Sequence, residues 1–93
     1  MSSIPIPPEI YFSDFAFDLK AYTVVRNQVA VNKYNGLDNV EASEHYIHFM
    51  LPCDIKAGDQ LRVNSSTLTV SRVEFDTYNG ADALLKAFVI EKI

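Results

Sequence analysis

From Tyr22 onward the chain alternates between apolar and polar positions in short runs, the periodicity of half-buried strands. Ala21 to Arg26 is rich in β-branched and aromatic residues, and Val29 and Val31 alternate with polar neighbours toward Tyr34. Asn35-Gly36 predicts a tight turn, because both residues tolerate positive φ. Val40 to Leu51 reads as one strand, with Tyr46, His48 and Met50 on one face and Ile47, Phe49 and Leu51 on the other. Both faces are apolar enough for a central position buried on two sides. Pro52 ends that run, and Asp54 to Asp59 forms a loop with Gly58 at a tight turn. Gln60 to Asn64 is a short strand that turns Leu61 and Val63 inward, Ser65-Ser66 is a hairpin turn, and Thr67 to Phe75 is the next strand. Leu68 and Val70 share a face, whereas Val73 and Phe75 follow one residue out of phase, so a β-bulge is expected near Ser71-Arg72. Asn79-Gly80 predicts another turn, and Leu84 to Ile93 the last strand.

The start of the chain breaks this pattern. Ile4-Pro5-Ile6-Pro7-Pro8 cannot lie inside a helix, since proline lacks the N–H and fixes φ. An extended arm is expected there, apolar through Ile4, Ile6, Ile10, Tyr11, Phe12, Phe15 and Phe17, which packs on its own domain or on a neighbouring subunit. Ser13-Asp14 caps at most a single helical turn through Leu19. The expected organisation is an extended proline-rich arm over residues 1–19 and one small domain over 20–93. That domain is mainly β, an antiparallel barrel or sandwich of about six strands, with at most one short helix. Val29–Asp38 echoes Val73–Asp82, each reading as strand, Tyr-Asn-Gly, strand.

Composition narrows the function. At 93 residues the chain makes one thin-cored domain, and 48% hydrophobic and 12% aromatic residues are enough to build that core. The lone Cys53 excludes an internal disulfide. No apolar run approaches the roughly 20 residues of a membrane-crossing helix, and the first residues do not read as a signal peptide. The net charge is −4 and the eight Lys and Arg are scattered, so no cluster is present for tracking phosphates.

Chemistry is equally sparse. His45 and His48, spaced by three, would share a helix face but are sent to opposite faces of a strand, so no chelate between them is expected. No serine sits in a nucleophile elbow, Cys53 follows a proline at a strand end, and the three glycines are too far apart for a phosphate loop. Neither catalysis nor a cofactor is expected. Tyrosines in turns, such as Tyr78, instead offer broad apolar area with a polar tip, which suits a protein interface or covers the edge of a thin core.

Residues 46–93 resemble the small head–tail connector proteins of tailed bacteriophages, the head-completion or stopper family. The resemblance is carried by Leu51-Pro52, the step Asp54-Ile55-Lys56-Ala57-Gly58-Asp59-Gln60-Leu61-Arg62-Val63, and the strand Thr67-Leu68-Thr69-Val70-Ser71-Arg72-Val73. The family shows an I-x-x-G-D-x-L step into a strand, a short turn and a V-x-x-V strand, but begins directly with a strand where this chain has its arm. The resemblance implies a structural virion protein, assembled in the host cytoplasm as a homo-oligomeric ring between portal and tail. Such a ring extends the DNA channel, touching DNA without gripping it and lying apart from any membrane. The residues expected to meet neighbouring subunits or partners are Ile4, Ile6, Tyr11 and Phe12 of the arm, Asp54, Lys56 and Asp59 of the loop, and Tyr78 and Asn79 of the turn. The competing expectation is a stand-alone barrel: an adaptor, another virion protein such as a tail-end or decoration subunit, or a weak nucleic-acid binder.

Overall fold

The computed structural model describes residues 2–91. The elements are β1 (Ser2–Ser3), α1 (Pro8–Asp14), a single 3-10 turn (Ala16–Asp18), β2 (Leu19–Arg26), β3 (Val29–Glu41), β4 (Glu44–Met50), β5 (Gln60–Val63), β6 (Ser66–Tyr78) and β7 (Ala81–Glu91). Strands β2 to β7 pair in the order β6-β5-β2-β3-β4-β7, and β7 pairs with β6 to close an antiparallel barrel of six strands. The mainly β architecture with one short α-helix is as expected. β1 adds a parallel pair on the outer edge of β6 at Asp76 and Thr77.

Alternation along the strands fills the barrel. Tyr22 and Val24 of β2, Ile47 and Phe49 of β4, Leu61 of β5, Leu68 and Val70 of β6, and Leu85, Ala87 and Val89 of β7 form the core with Ile55. Tyr22 meets Phe49 edge to face with centroids 5.5 Å apart. The expected bulge is present: Val70 pairs with Val89 and Arg72 with Phe88, leaving Ser71 over. Val73 and Phe75 then pack against the core in the shifted phase.

Four two-residue hairpins connect the strands, at Asn27-Gln28, Ala42-Ser43, Asn64-Ser65 and Asn79-Gly80. Three have both residues at positive φ, the backbone whose twist matches that of paired strands. This corrects three expectations. Asn35-Gly36 makes no turn but runs straight through β3. The run Val40–Leu51 is divided by Ala42-Ser43 into the end of β3 and all of β4. The hairpin before β6 falls at Asn64-Ser65, one residue earlier than Ser65-Ser66.

Gly36 shows why the strand continues. It is buried, and a Cβ there would lie 2.6 Å from Ile47 Cγ2 and 2.7 Å from Phe49 Cε1. The glycine lets β3 cross close over β4, and its missing side chain is used for packing rather than for a turn.

The N-terminal segment differs from an extended arm. It is extended up to Pro7 and helical from Pro8 to Asp14. Pro8 opens the helix, where its missing N–H costs nothing, and Pro7 C=O accepts from the N–H groups of Ile10 and Tyr11, each at 3.1 Å. The segment lies on its own barrel: Phe12 is buried and Ile4 N–H donates to Thr77 O at 2.8 Å. The last strand begins at Ala81 rather than Leu84. Its expected end at residues 92 and 93 lies outside the described residues, as does Met1.

Candidate interaction surface and its supporting network

The outer side of β4 carries Tyr46 and His48, and both are buried although they point away from the core. α1 covers them. His48 Nε2 is 2.8 Å from Asp76 Oδ2 of β6, and His48 Nδ1 is 3.1 Å from the Tyr11 hydroxyl of α1. The arrangement assigns the tautomer: Nε2–H donates to the carboxylate and Nδ1 accepts from the phenol. Tyr11 also meets His48 edge to face at 5.5 Å. Burial pulls the His48 pKa below its ordinary value, a shift that Asp76 opposes. Desolvation, reinforced by the Asp76 charge, pushes the Tyr11 pKa up. A phenol so shifted is a poor nucleophile, and these residues work as a clasp that holds α1 to the barrel.

Farther along the same wall the arrangement is a surface one. Arg72 stacks 3.7 Å above the Phe88 ring and reaches Glu44 and Glu74 at 2.9 and 3.0 Å. Lys86 lies 4.5 Å from the Tyr46 ring centre.

The loop before β5 is fastened by a second network. Asp59 is buried, and Arg26 grips its carboxylate with two hydrogen bonds of 2.8 Å. Lys56 N–H donates to Asp59 Oδ2 at 2.8 Å, Asp59 O accepts from Val70 N–H, and Gly58 N–H donates to Val70 O. Arg26 also reaches the exposed Asp54 at 3.2 Å, and Asp54 N–H donates to the Tyr34 hydroxyl. The Arg26 hydrogen bonds hold the carboxyls of Asp59 and Asp54 below their ordinary pKa. The Gly58-Asp59 step is therefore the anchor of the loop: Gly58 takes φ of 94° and Asp59 fixes the next strand.

These positions sort the residues expected at interfaces. Phe12 and Asp59 are buried, with their side chains committed to the fold. Ile4, Ile6, Tyr11 and Tyr78 are half-buried, and Asp54, Lys56 and Asn79 are exposed. The arm and the Tyr78-Asn79 turn do come together, since Pro7, Pro8, Glu9, Leu51 and Tyr78 line one hollow. The Asp54–Asp59 loop is tied instead to Arg26, Tyr34 and Val70.

Three of the apolar arm residues expected to pack on the domain or on a neighbouring subunit are left open. Phe17 is fully exposed at 105%, and Phe15 and Ile10 are exposed at 44% and 50%. Beside them a largely apolar pocket of about 500 Å³ opens between α1 and the barrel, lined by Phe12, Ala16, Leu19, Tyr34, Met50 and Leu51 among others. The signal in the sequence was the crowding of aromatics among Asp14 and Asp18 with no Lys or Arg before Lys20.

His45 pairs with Asp38 and His48 with Asp76, so the two imidazoles serve different carboxylates. Among the described residues no group of three His, Cys, Asp or Glu side chains is placed to hold a metal ion. No helix among them is long and apolar enough to cross a membrane. Burial and the neighbouring Asp54 charge push the Cys53 thiol up to about 11, away from a reactive thiolate. Compared with known proteins, the chain matches no family model, no curated protein and no solved structure.

Proposed function

We propose that this chain is a non-catalytic structural protein of a tailed-phage neck, which assembles as a homo-oligomeric ring joining portal to tail and extending the DNA channel. The observation that carries a protein-binding role is the Ile10–Phe15–Phe17 ridge beside its apolar pocket. Large apolar side chains left open on one short segment of a small domain mark a surface that another protein covers. The connector reading adds the resemblance of Leu51–Val73 to the stopper family. The net charge of −4 supports it too, because a wall with little affinity for phosphates lets DNA slide past. On this reading the protein resides in the virion and assembles in the host cytoplasm. Sizing by light scattering across a concentration series, with electron microscopy of the largest species, tests it. A closed ring is expected, and a monomer throughout the series overturns the proposal.

A second reading, a stand-alone adaptor barrel, is favoured by one observation: Tyr11, Phe12 and β1 bind the N-terminal segment to its own barrel rather than leaving it free to reach a neighbour. It expects a monomer that places a partner's apolar side chain in the pocket.

A further inference from the structure

The outer face of β2, β5 and the first part of β3 has a different chemistry. Strand register sets Lys33 of β3 beside Thr23 of β2, Thr23 beside Arg62 of β5, and Arg62 beside Thr67 of β6. Their chain neighbours Tyr22, Val24 and Leu61 belong to the core, so alternation turns this row outward. Lys33 and Arg62 are exposed, and neither forms a salt bridge among the described residues. The row contains no carboxylate. Val29 and Val31 lie beside it on β3, exposed at 60% and 40%, where β3 has not yet begun to pair with β4.

The ridge around Phe17 is the counterpart. Glu9, Asp14 and Asp18 are exposed there and form no salt bridge among the described residues. α1 clasps β4 through His48 and shares its pocket with Leu19 at the start of β2 and Tyr34 of β3, whereas the basic row lies farther along β2 and on β5. One molecule thus presents an acidic aromatic segment, whose nearest cation Lys20 is turned to Asp38, and a separate basic aliphatic surface.

We propose that the Glu9–Asp18 ridge of one copy docks on the Lys33–Arg62 wall of a second copy, head to tail. This rests on the self-assembly reading above and names the two surfaces that meet. Pairing the ridge with itself would set three carboxylates against the same three, whereas ridge against wall opposes unlike charges and covers apolar area on both sides. Contacts between two different surfaces close into rings when the rotation permits. The charges choose the partner surface, and the aromatic ridge supplies the affinity.

The test is a charge swap. One variant carries Asp14→Lys and Asp18→Lys, the other Lys33→Glu and Arg62→Glu, and self-association of each is followed by sedimentation at low salt. Each alone is expected to associate at least tenfold more weakly than wild type. Mixed in equal amounts they are expected to recover assembly, because every junction in an alternating ring again joins opposite charges. Variants that associate like wild type, or a mixture no better than its parts, overturn the surfaces while leaving the ring itself standing. A wild-type monomer at every concentration overturns both. If thermal melting shows a reversed variant to be unfolded, Asp14→Asn with Asp18→Asn and Lys33→Gln with Arg62→Gln are read instead. Each neutral pair is expected to weaken association, and unchanged association overturns the proposal.

Discussion

His48 Nε2 and Asp76 Oδ2 lie 2.8 Å apart on the outside of the barrel, sealed beneath α1. The pair has a defined pH consequence. Burial lowers the folded-state pKa of His48 below its ordinary value near 6.5, so below that value the unfolded chain binds more protons than the folded one. The stability held by the neutral imidazole is fully present above about pH 6.5 and is lost as pH falls from there through the folded pKa. Wild type should melt at a lower temperature at pH 5 than at pH 7.5, and His48→Gln should flatten that part of the profile. A His48→Gln profile as steep as wild type would refute the assignment.

The same clasp can be weakened from the helix side. Tyr11→Phe keeps the ring contact with His48 but removes the hydroxyl donor to Nδ1. A loss of about 0.5–1.5 kcal/mol is expected in urea unfolding, the net worth of one ordinary hydrogen bond. Asp76→Ala should cost more, about 1–3 kcal/mol, because it leaves the buried Nε2–H without its acceptor. Faster amide exchange over 10–14 in Tyr11→Phe, with the barrel strands unchanged, would identify α1 as the part released.

Gly36 gives a packing prediction. A methyl group at this position would stand 2.6 Å from Ile47 and 2.7 Å from Phe49, two of the largest buried side chains. Gly36→Ala should therefore destabilise by about 1–3 kcal/mol, as overpacking does, despite the better strand propensity of alanine. Chemical denaturation decides it, and a neutral or stabilising result would show that β3 and β4 can separate freely there.

The two Tyr-Asn-Gly segments show how far the sequence could be read. At Tyr78-Asn79-Gly80 the dipeptide makes the expected turn, with both central residues at positive φ. At Tyr34-Asn35-Gly36 the same residues continue a strand, because Ile47 and Phe49 occupy the space where a side chain would be. Local chemistry permits both outcomes, and contacts formed eleven and more positions away select one. Alternation was more reliable: it placed Leu61, Leu68 and Val70 in the core and found the bulge at Ser71, since each needs only its near neighbours. The Tyr11–His48–Asp76 clasp had no such signature, as its members lie 37 and 28 positions apart. The prolines were informative but misread. They exclude helix interior, yet Pro8 at a helix start is allowed.

Asp59 extends the pH argument to a second window. Arg26 and the Lys56 N–H hold its carboxylate, and its pKa lies below the ordinary 3.8. A depressed carboxylate contributes stability that is present above its unfolded pKa and lost as pH falls through the folded value. Asp59→Asn should lower the melting temperature at pH 7 and weaken the acid-induced loss below about pH 4, leaving the His48 contribution that begins to fall below about pH 6.5 intact. A change confined to the His48 window would show that the two networks are coupled.

Phe17 separates folding from assembly. Its ring is fully exposed, so the folded monomer gains nothing from burying it. Phe17→Ser should change unfolding free energy by no more than about 0.5 kcal/mol, as surface substitutions do. In an assembly that covers the ridge, the same ring would contribute about 1.5–3 kcal/mol on burial, and each 1.4 kcal/mol is tenfold in affinity. Self-association of Phe17→Ser should therefore weaken by roughly ten- to a hundredfold with the melting curve unchanged. Equal association of variant and wild type, measured by sedimentation at matched concentrations, would remove Phe17 from the interface.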